Sequence, residues 1–240
     1  MTQAKPLKSS IARKVIMAIS GIFLMLFLIV HLAGNLTLFM PDGGKMFNAY
    51  AHKLHSLGPL LYVAEAGLLA IFLFHVITAF QVFAEKRRAR PDHYAVANSK
   101  GGPSKNTIAS RSMIYTGIIL LVFIPAHIWM FKFNAGQPFS FVDANGKEMK
   151  DLYAVVVSAF QKPAIAFGYT AVMLLLGMHL RHGFWSALQS LGAMCPKGSA
   201  FIYTAGLVFA ILLAGGFLIL PLYFYFCGAG GACAWSGGAQ

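Results

Sequence analysis

Four histidines of this chain lie inside long apolar segments, one in each of four segments: His31, His75, His127 and His179. An imidazole without a partner is costly to hold in hydrocarbon, so each of these side chains is expected to bind another group. Four such histidines make two pairs, and two neutral imidazoles that face each other can hold a haem iron from both sides. The residues therefore predict four axial iron ligands and two haems b. The alternative is that they are packing residues or hydrogen-bonding contacts between helices.

The composition places these histidines in a membrane protein. Hydrophobic residues make up 58% of the 240 residues and charged residues only 11%, against about a quarter in soluble domains. Five apolar runs are long enough to cross about 30 Å of hydrocarbon as helices. We predict an all-α membrane protein with one domain over residues 1–240 and five transmembrane helices, of which the first four form a haem-binding four-helix bundle. The predicted spans are roughly 14–40, 58–85, 112–133, 163–190 and 200–226.

The connections between the spans are predicted to lie at the membrane surfaces. Residues 41–57 carry apolar side chains at helical spacing, which indicates an interfacial helix. Residues 86–111 and 134–157 contain Pro, Gly and polar residues, which is typical of surface loops. Trp129 and Trp185 are expected in interfacial aromatic belts.

The distribution of positive charge predicts the orientation of the spans. Lys and Arg residues are concentrated before the first span and between the second and third. By the positive-inside rule the N-terminus is then cytoplasmic and the C-terminus lies outside. The net charge of +12 is interpreted as a topology signal, and no nucleic-acid partner is expected.

Depth along the helices predicts which histidines face each other. His31 and His127 lie 17 and 16 residues beyond the basic residues at the start of their spans, about 25 Å along a helix. His75 lies 11 residues before Lys86, and His179 lies 13 residues before Gly192, where its helix is expected to end, about 16–20 Å from the cytoplasmic side. Because the ligands of one iron must lie at one depth, His31 is predicted to pair with His127 near the outer surface, and His75 with His179 nearer the cytoplasm. Two haems stacked in this way carry electrons across the membrane.

The first and third spans repeat one pattern, SGIxLxxFxxxH at 20–31 and TGIxLxxFxxxH at 116–127. In both, a glycine lies ten residues before the histidine, about 15 Å along the helix. Because glycine permits a close approach, each of these helices is predicted to ligate one haem and to make room for the other. Ordinary small-residue packing between helices is the alternative for these glycines.

Cations at the cytoplasmic ends of the spans are predicted to contact the propionates of the inner haem, since charge buried near the membrane surface needs a counter-ion. These residues are Arg13, Lys14, Arg111, Arg181 and His182. Contact with lipid headgroups is the alternative for the first two. His182 is also the rival of His179 as an iron ligand, because it lies one turn nearer the cytoplasm.

Glu65 is an acidic residue inside the second span, ten residues before His75 and therefore near the depth of the outer haem. A carboxylate inside a membrane indicates a functional site. We predict that Glu65 exchanges protons with a bound quinone, with Asn35 or His55 as neighbours. The alternative is a neutral, hydrogen-bonded residue of the bundle.

Three segments together resemble the cytochrome b membrane anchor of succinate:quinone oxidoreductases: FLIVHLxxN at 27–35, AHxxxSL at 51–57 and HLxxGxWS at 179–186. The likeness is to the type with one five-helix anchor subunit and two haems. It implies the same four histidine ligands, with His179 rather than His182 in the fourth span. It also implies two haems b and a quinone, typically menaquinone, that reacts near the outer haem.

The resemblance also implies a respiratory complex in the bacterial cytoplasmic membrane. Flavoprotein and iron–sulfur subunits of succinate dehydrogenase would dock on the cytoplasmic face and hold the succinate-oxidising site, which this chain lacks. Electrons would pass from the iron–sulfur subunit through the two haems to quinone. In fumarate reduction, electrons from quinol would pass through the same two haems in the opposite direction. The alternatives are the dihaem subunit of another oxidoreductase, such as a hydrogenase or nitrate reductase, and a haem-free transporter or structural anchor.

Overall fold

The computed structural model describes residues 9–89, 107–133, 140–142 and 148–228. The helices in these residues are α1 (Ser10–Leu36), α2 (Lys45–His55), α3 (Pro59–Ala89), α4 (Ile108–Ile128), α5 (Leu152–Phe160), α6 (Pro163–Ser190) and α7 (Ser199–Cys227). A 3-10 turn, Thr37–Phe39, continues α1, and a π-helical turn, Trp129–Phe133, continues α4. Two short strands, β1 (Ser140–Val142) and β2 (Glu148–Lys150), pair antiparallel.

Five of these helices are long and apolar enough to cross a membrane, namely α1, α3, α4, α6 and α7, so the chain is a multi-pass membrane protein. The predicted all-α fold class and its five spans are confirmed. The bounds of α6 are those expected. At the end of the bundle where α1 begins, α1 and α4 start four residues earlier than predicted, and α3 ends four residues later.

Local capping explains where these helices start. The Ser9 hydroxyl accepts a hydrogen bond from the Ala12 backbone nitrogen at 3.0 Å and caps α1. At the start of α4, Thr107 and Ser110 form a reciprocal capping box. Hydropathy marks where the hydrocarbon ends, while caps mark where the helix ends, so the two boundaries differ by about one turn.

The first four spans are arranged as a ring. Extensive contacts join α1 to α3, α1 to α6, and α4 to α6, which places α1 diagonally opposite α4, and α3 diagonally opposite α6. Along the described residues, no comparably extensive contact joins α3 to α4, so this side of the ring is open. We refer to the end of the ring where α1 and α7 begin as the N side, and to the end where α7 stops as the C side.

Two ion pairs connect α3 to its neighbours. On the N side, Arg13 of α1 pairs with Glu85. On the C side, Lys132 of the π-helical turn pairs with Glu65. Because α3 packs extensively on α1 alone, these pairs hold both ends of an otherwise exposed helix.

The closely packed core lies outside the ring, between α6 and α7. It includes Met173, Leu176 and Leu180 on α6 and Leu213 and Phe217 on α7. A methyl group added at Gly177 would lie 3.2 Å from Ala214, so the helices approach closely here. The inside of the ring, in contrast, holds the four histidines.

A cap of short elements covers the C side. α2 lies within the interfacial helix predicted at 41–57, but the prediction of a surface loop over 134–157 was wrong, because this segment includes the paired strands and the start of α5. Asn48 of α2 is 1% exposed. Its side-chain nitrogen donates to Asp151 Oδ1 at 2.8 Å, and its oxygen accepts from the Tyr153 backbone nitrogen at 2.9 Å. α5 is almost entirely apolar, as expected for a helix that is buried on most sides. Its nine residues are too few to be recognised as a membrane span from the sequence.

Candidate metal centre

The four histidines meet across the two diagonals of the ring. The ring centroids of His31 on α1 and His127 on α4 are 5.9 Å apart, with an interplanar angle of 87°. Those of His75 on α3 and His179 on α6 are 6.5 Å apart, at 67°. We call His75 and His179 the N-side pair, and His31 and His127 the C-side pair. The structure thus brings the histidines together in the combinations expected from their depths.

The repeated pattern of α1 and α4 separates the two pairs along the bundle. An added Cβ at Gly21 would lie 3.3 Å from Cε1 of His75, and one at Gly117 would lie 3.5 Å from Cε1 of His179. Each glycine therefore marks the level of the N-side pair on a helix that carries a C-side histidine ten residues later. At 1.5 Å per residue the two levels are about 15 Å apart. The glycines make room for the imidazoles of the other pair.

Hydroxyl groups contact the outer nitrogens of the N-side pair. Nδ1 of His75 lies 3.3 Å from the Ser20 hydroxyl and 3.3 Å from the backbone oxygen of Met17. Nδ1 of His179 lies 3.1 Å from the Thr116 hydroxyl. Ser20 and Thr116 are 6% and 1% exposed, so water does not compete for these contacts.

The protonation of the N-side pair follows from these partners. The hydroxyl of Ser20 donates its one proton to a carbonyl of its own helix, at 2.8 Å from Ile16, and that of Thr116 donates to Met113 or Ser112 at 3.1–3.2 Å. Each hydroxyl oxygen is then an acceptor for the histidine, so Nδ1 carries the hydrogen. The lone pair of each imidazole is left on Nε2, which is the arrangement that a metal-ligating histidine needs.

Aromatic side chains surround the C-side pair. Phe27 stacks on His31 at 5.4 Å and 15°, and Phe123 stacks on His127 at 5.7 Å and 27°. Nδ1 of His127 lies 3.3 Å from the hydroxyl of Tyr169, which donates to the sulfur of Met130 at 3.7 Å. His127 is therefore oriented by a phenol, where the N-side histidines are oriented by aliphatic hydroxyls.

The geometry of both pairs fits an iron held between two imidazoles. A metal–imidazole bond is about 2 Å and the ring centre lies about 1 Å behind the bonding nitrogen, so two imidazoles on opposite sides of one metal have centroids about 6 Å apart. The observed 5.9 and 6.5 Å agree with this spacing. All four histidines are only half-buried in mid-span, and exposed apolar side chains lie on α3 and α4 beside the open side of the ring. Among the described residues no group of three or more metal-binding side chains surrounds one point, so each pair is a two-ligand site.

Two buried nitrogen atoms of the described residues lack a hydrogen-bond partner, and both lie near the N side: Arg13 Nε and His182 Nδ1. Trp185, expected in an interfacial belt, is instead buried against His182, with ring centroids 4.6 Å apart. Two basic side chains of the described residues, each with a buried and unsatisfied nitrogen, therefore lie on the N side.

The other predicted propionate contacts are placed differently. The backbone oxygen of Arg181 lies 3.5 Å from an added Cβ at Gly206 of α7, which puts this position on the α7 side of α6. Two residues along a helix turn the chain by about 200°, so Arg181 does not share the face of His179. Lys14 and Arg111 are exposed at the N side. Of the five predicted contacts, Arg13 and His182 are the two whose side chains hold a buried nitrogen without a hydrogen-bond partner in the described residues.

Glu65, an acidic residue inside the second span, forms an ion pair with Lys132. Lys132 reaches Glu65 because the π-helical turn carries α4 past the end of its apolar run. The side chains of Lys132 and Glu65 are 39% and 36% exposed, so neither is sealed inside the bundle. Asn35 donates to the backbone oxygen of His31 at 2.7 Å, and His55 is exposed at the end of α2.

Ser20, Thr116, Tyr169 and Lys132 were not predicted as site residues. The first two stand in the repeated pattern, directly before each glycine, and that position was the available signal. Comparison with protein-family models, with characterised proteins and with solved structures finds no match to this chain.

Proposed function

We propose that this chain is a dihaem cytochrome b that anchors a succinate:quinone oxidoreductase in the bacterial cytoplasmic membrane and conducts electrons across it. The observation that carries the proposal is the presence of two histidine pairs on the diagonals of one ring, about 15 Å apart in depth. Two haems b, when bound, would supply one-electron carriers at these two levels. The resemblance of three sequence segments to this class of anchor supplies the specific reaction.

The four histidines of the polypeptide would bind the two irons, and neighbouring side chains orient three of these histidines. Ser20 and Thr116 on the N side and Tyr169 on the C side contact Nδ1 of three of the four histidines, which leaves Nε2 as the nitrogen that would bind iron. A ligand held in one tautomer and one rotamer does not need to reorganise when an electron arrives.

The N side is proposed as the face on which the flavoprotein and iron–sulfur subunits dock. The basic residues of the chain are concentrated there, which is the cytoplasmic side by the positive-inside rule. Arg13 and His182 have buried nitrogens without partners in the described residues, so they are the best candidates to meet the propionates of the N-side haem. Contacts from Lys14, Arg111 and Arg181 stay predictions from the sequence.

The C side is proposed to hold the quinone, menaquinone by the resemblance. Glu65 lies ten residues before His75 on a helix that runs from the C side, so it lies near the level of the C-side pair. Quinone reduction consumes protons, and a carboxylate at the end of the electron path can deliver them. Asn35 and His55 stay candidates for this site from the sequence alone.

Two low-spin haems b per chain are the expected result of purifying the protein from membranes in mild detergent. Pyridine haemochrome analysis measures the number of haems, and a reduced-minus-oxidised spectrum measures their type. Succinate should reduce both haems when the co-purifying flavoprotein and iron–sulfur subunits are present. One haem or none would contradict the dihaem proposal and favour a transporter or a structural anchor. Two haems with different co-purifying subunits would instead assign the chain to another oxidoreductase.

A further inference from the structure

We propose that Ser20-Gly21 and Thr116-Gly117 are two copies of one ligand-seating module that positions the N-side pair and sets its redox potential apart from that of the C-side pair. The inference rests on the proposed function, because it concerns the residues around the ligands of one haem. In each copy the hydroxyl contacts Nδ1 of a histidine on another helix. The Cε1 edge of the same imidazole lies beside the adjacent glycine, 3.3 or 3.5 Å from the place that a Cβ would take.

The two glycines of the repeated pattern differ in how closely the imidazole approaches them. A Cβ at Gly21 would lie 3.3 Å from His75, which is tighter than ordinary contact, and one at Gly117 would lie 3.5 Å from His179. The ring edge therefore lies beside the glycine, on the face of α1 or α4 where a side chain would begin. From that position each ring reaches the hydroxyl one residue earlier, at 3.3 and 3.1 Å. The close approach of the imidazole to the glycine and its hydrogen bond to the neighbouring hydroxyl therefore depend on each other.

The hydrogen bond also changes the ligand as a donor to iron. An Nδ1 hydrogen that is shared with an acceptor makes the imidazole more electron-rich, and such a ligand favours the oxidised metal. Both N-side ligands have such a contact, to an aliphatic hydroxyl, whereas in the C-side pair the described contact is that of His127 to a phenol. Ser20 and Thr116 thereby lower the potential of the N-side haem relative to the value that its ligands alone would give.

The two copies differ in the number of hydrogen-bond acceptors near Nδ1 of the histidine, and this difference predicts unequal effects of the two substitutions. His75 has a second acceptor, the Met17 backbone oxygen at 3.3 Å, which remains after the Ser20 hydroxyl is removed. Within the described residues the hydroxyl of Thr116 is the hydrogen-bond partner of His179. Loss of the Thr116 hydroxyl therefore leaves a buried donor without an acceptor, which is the more costly change.

The test is a redox titration of both haems in the purified complex with Thr116→Val, Ser20→Ala and Thr116→Ser. Thr116→Val keeps the shape and should shift the N-side haem to a more positive potential, Ser20→Ala should shift it less, and Thr116→Ser should restore the original value. Electron paramagnetic resonance of the oxidised complex should show a change in the signal of the same haem alone. The C-side haem should keep its potential in all three variants.

Thr204→Val is the matched control, because this exposed hydroxyl also donates to its own helix, at 3.0 Å from the Ala200 carbonyl, but lies on α7. Two bound haems with unchanged potentials in Thr116→Val and Ser20→Ala would overturn the module and leave the dihaem proposal standing. A shift of the C-side haem equal to that of the N-side haem would overturn it as well. Absence of haem from the unmodified protein would instead refute the proposed function.

Discussion

Replacing His179 with alanine is expected to remove one haem of two, and replacing His75 is expected to remove the same one. The rings of these residues face each other at 6.5 Å, so each loss takes away one of two protein ligands of the same iron. His31→Ala and His127→Ala should both remove the other haem, because their rings are paired at 5.9 Å. Haem content per chain should fall from about two to about one in every single variant. The remaining spectrum should be identical within a pair and different between pairs.

Double variants test the pairing directly, because the number of haems that remain depends on whether the two replaced histidines belong to one pair or to two. His75→Ala combined with His179→Ala should still retain one haem, whereas His31→Ala combined with His75→Ala should retain none. Loss of both haems in the first combination, together with retention of one in the second, would show that the ligands are paired differently.

His182→Ala is the matched control for the N-side ligand, since His182 lies one turn from His179 on α6. Its Nδ1 is buried without a partner and its ring packs on Trp185, so it has no facing imidazole in the described residues. This variant should retain two haems with an altered potential for the N-side haem. Retention of both haems in His179→Ala and loss of one in His182→Ala would reverse the ligand assignment.

The spans and the histidine pairs could be predicted because both depend on quantities that sequence fixes locally. The rise of 1.5 Å per residue is nearly constant in a helix, so depth follows from counting residues to the basic ends. This argument joined His75 to His179 across 104 residues without any knowledge of helix neighbours. The depth of a residue could not indicate that α3 and α6 lie diagonally opposite each other in the ring, because depth does not determine which helices are neighbours or how each helix is rotated about its axis.

The contacts around the histidines could not be predicted, because they depend on how each helix is rotated. A serine or threonine within a helix commonly donates to its own backbone, and Ser20 and Thr116 both do so. Whether the oxygen also meets a histidine depends on the neighbouring helix. The predicted third span, 112–133, includes Lys132, but the length of an apolar run could not indicate that the π-helical turn brings this side chain to Glu65.

Glu65→Gln is expected to lower quinone-coupled succinate oxidation by about 100-fold, the lower end of what a positioned acid–base group contributes. Glutamine keeps the shape of the side chain but cannot exchange a proton. The glutamine variant should keep two haems per chain, and reduction of an artificial dye by succinate should be unchanged, because the dye takes electrons before the C side. The measurement is the ratio of quinone-dependent to dye-dependent turnover in the purified complex.

Two variants separate proton exchange from the loss of an ion pair. Glu85→Gln removes the other ion-paired acid of α3, on the N side beside Arg13, and should leave the ratio near that of the unmodified protein. Lys132→Gln breaks the same ion pair as Glu65→Gln while keeping the carboxylate, so it should retain most of the quinone turnover. A loss in Lys132→Gln as large as in Glu65→Gln would assign the effect to the link between α3 and α4. Near-normal quinone turnover in Glu65→Gln would leave Glu65 as a structural residue, because a group that supplies protons to the quinone cannot be replaced by an amide without slowing the reaction.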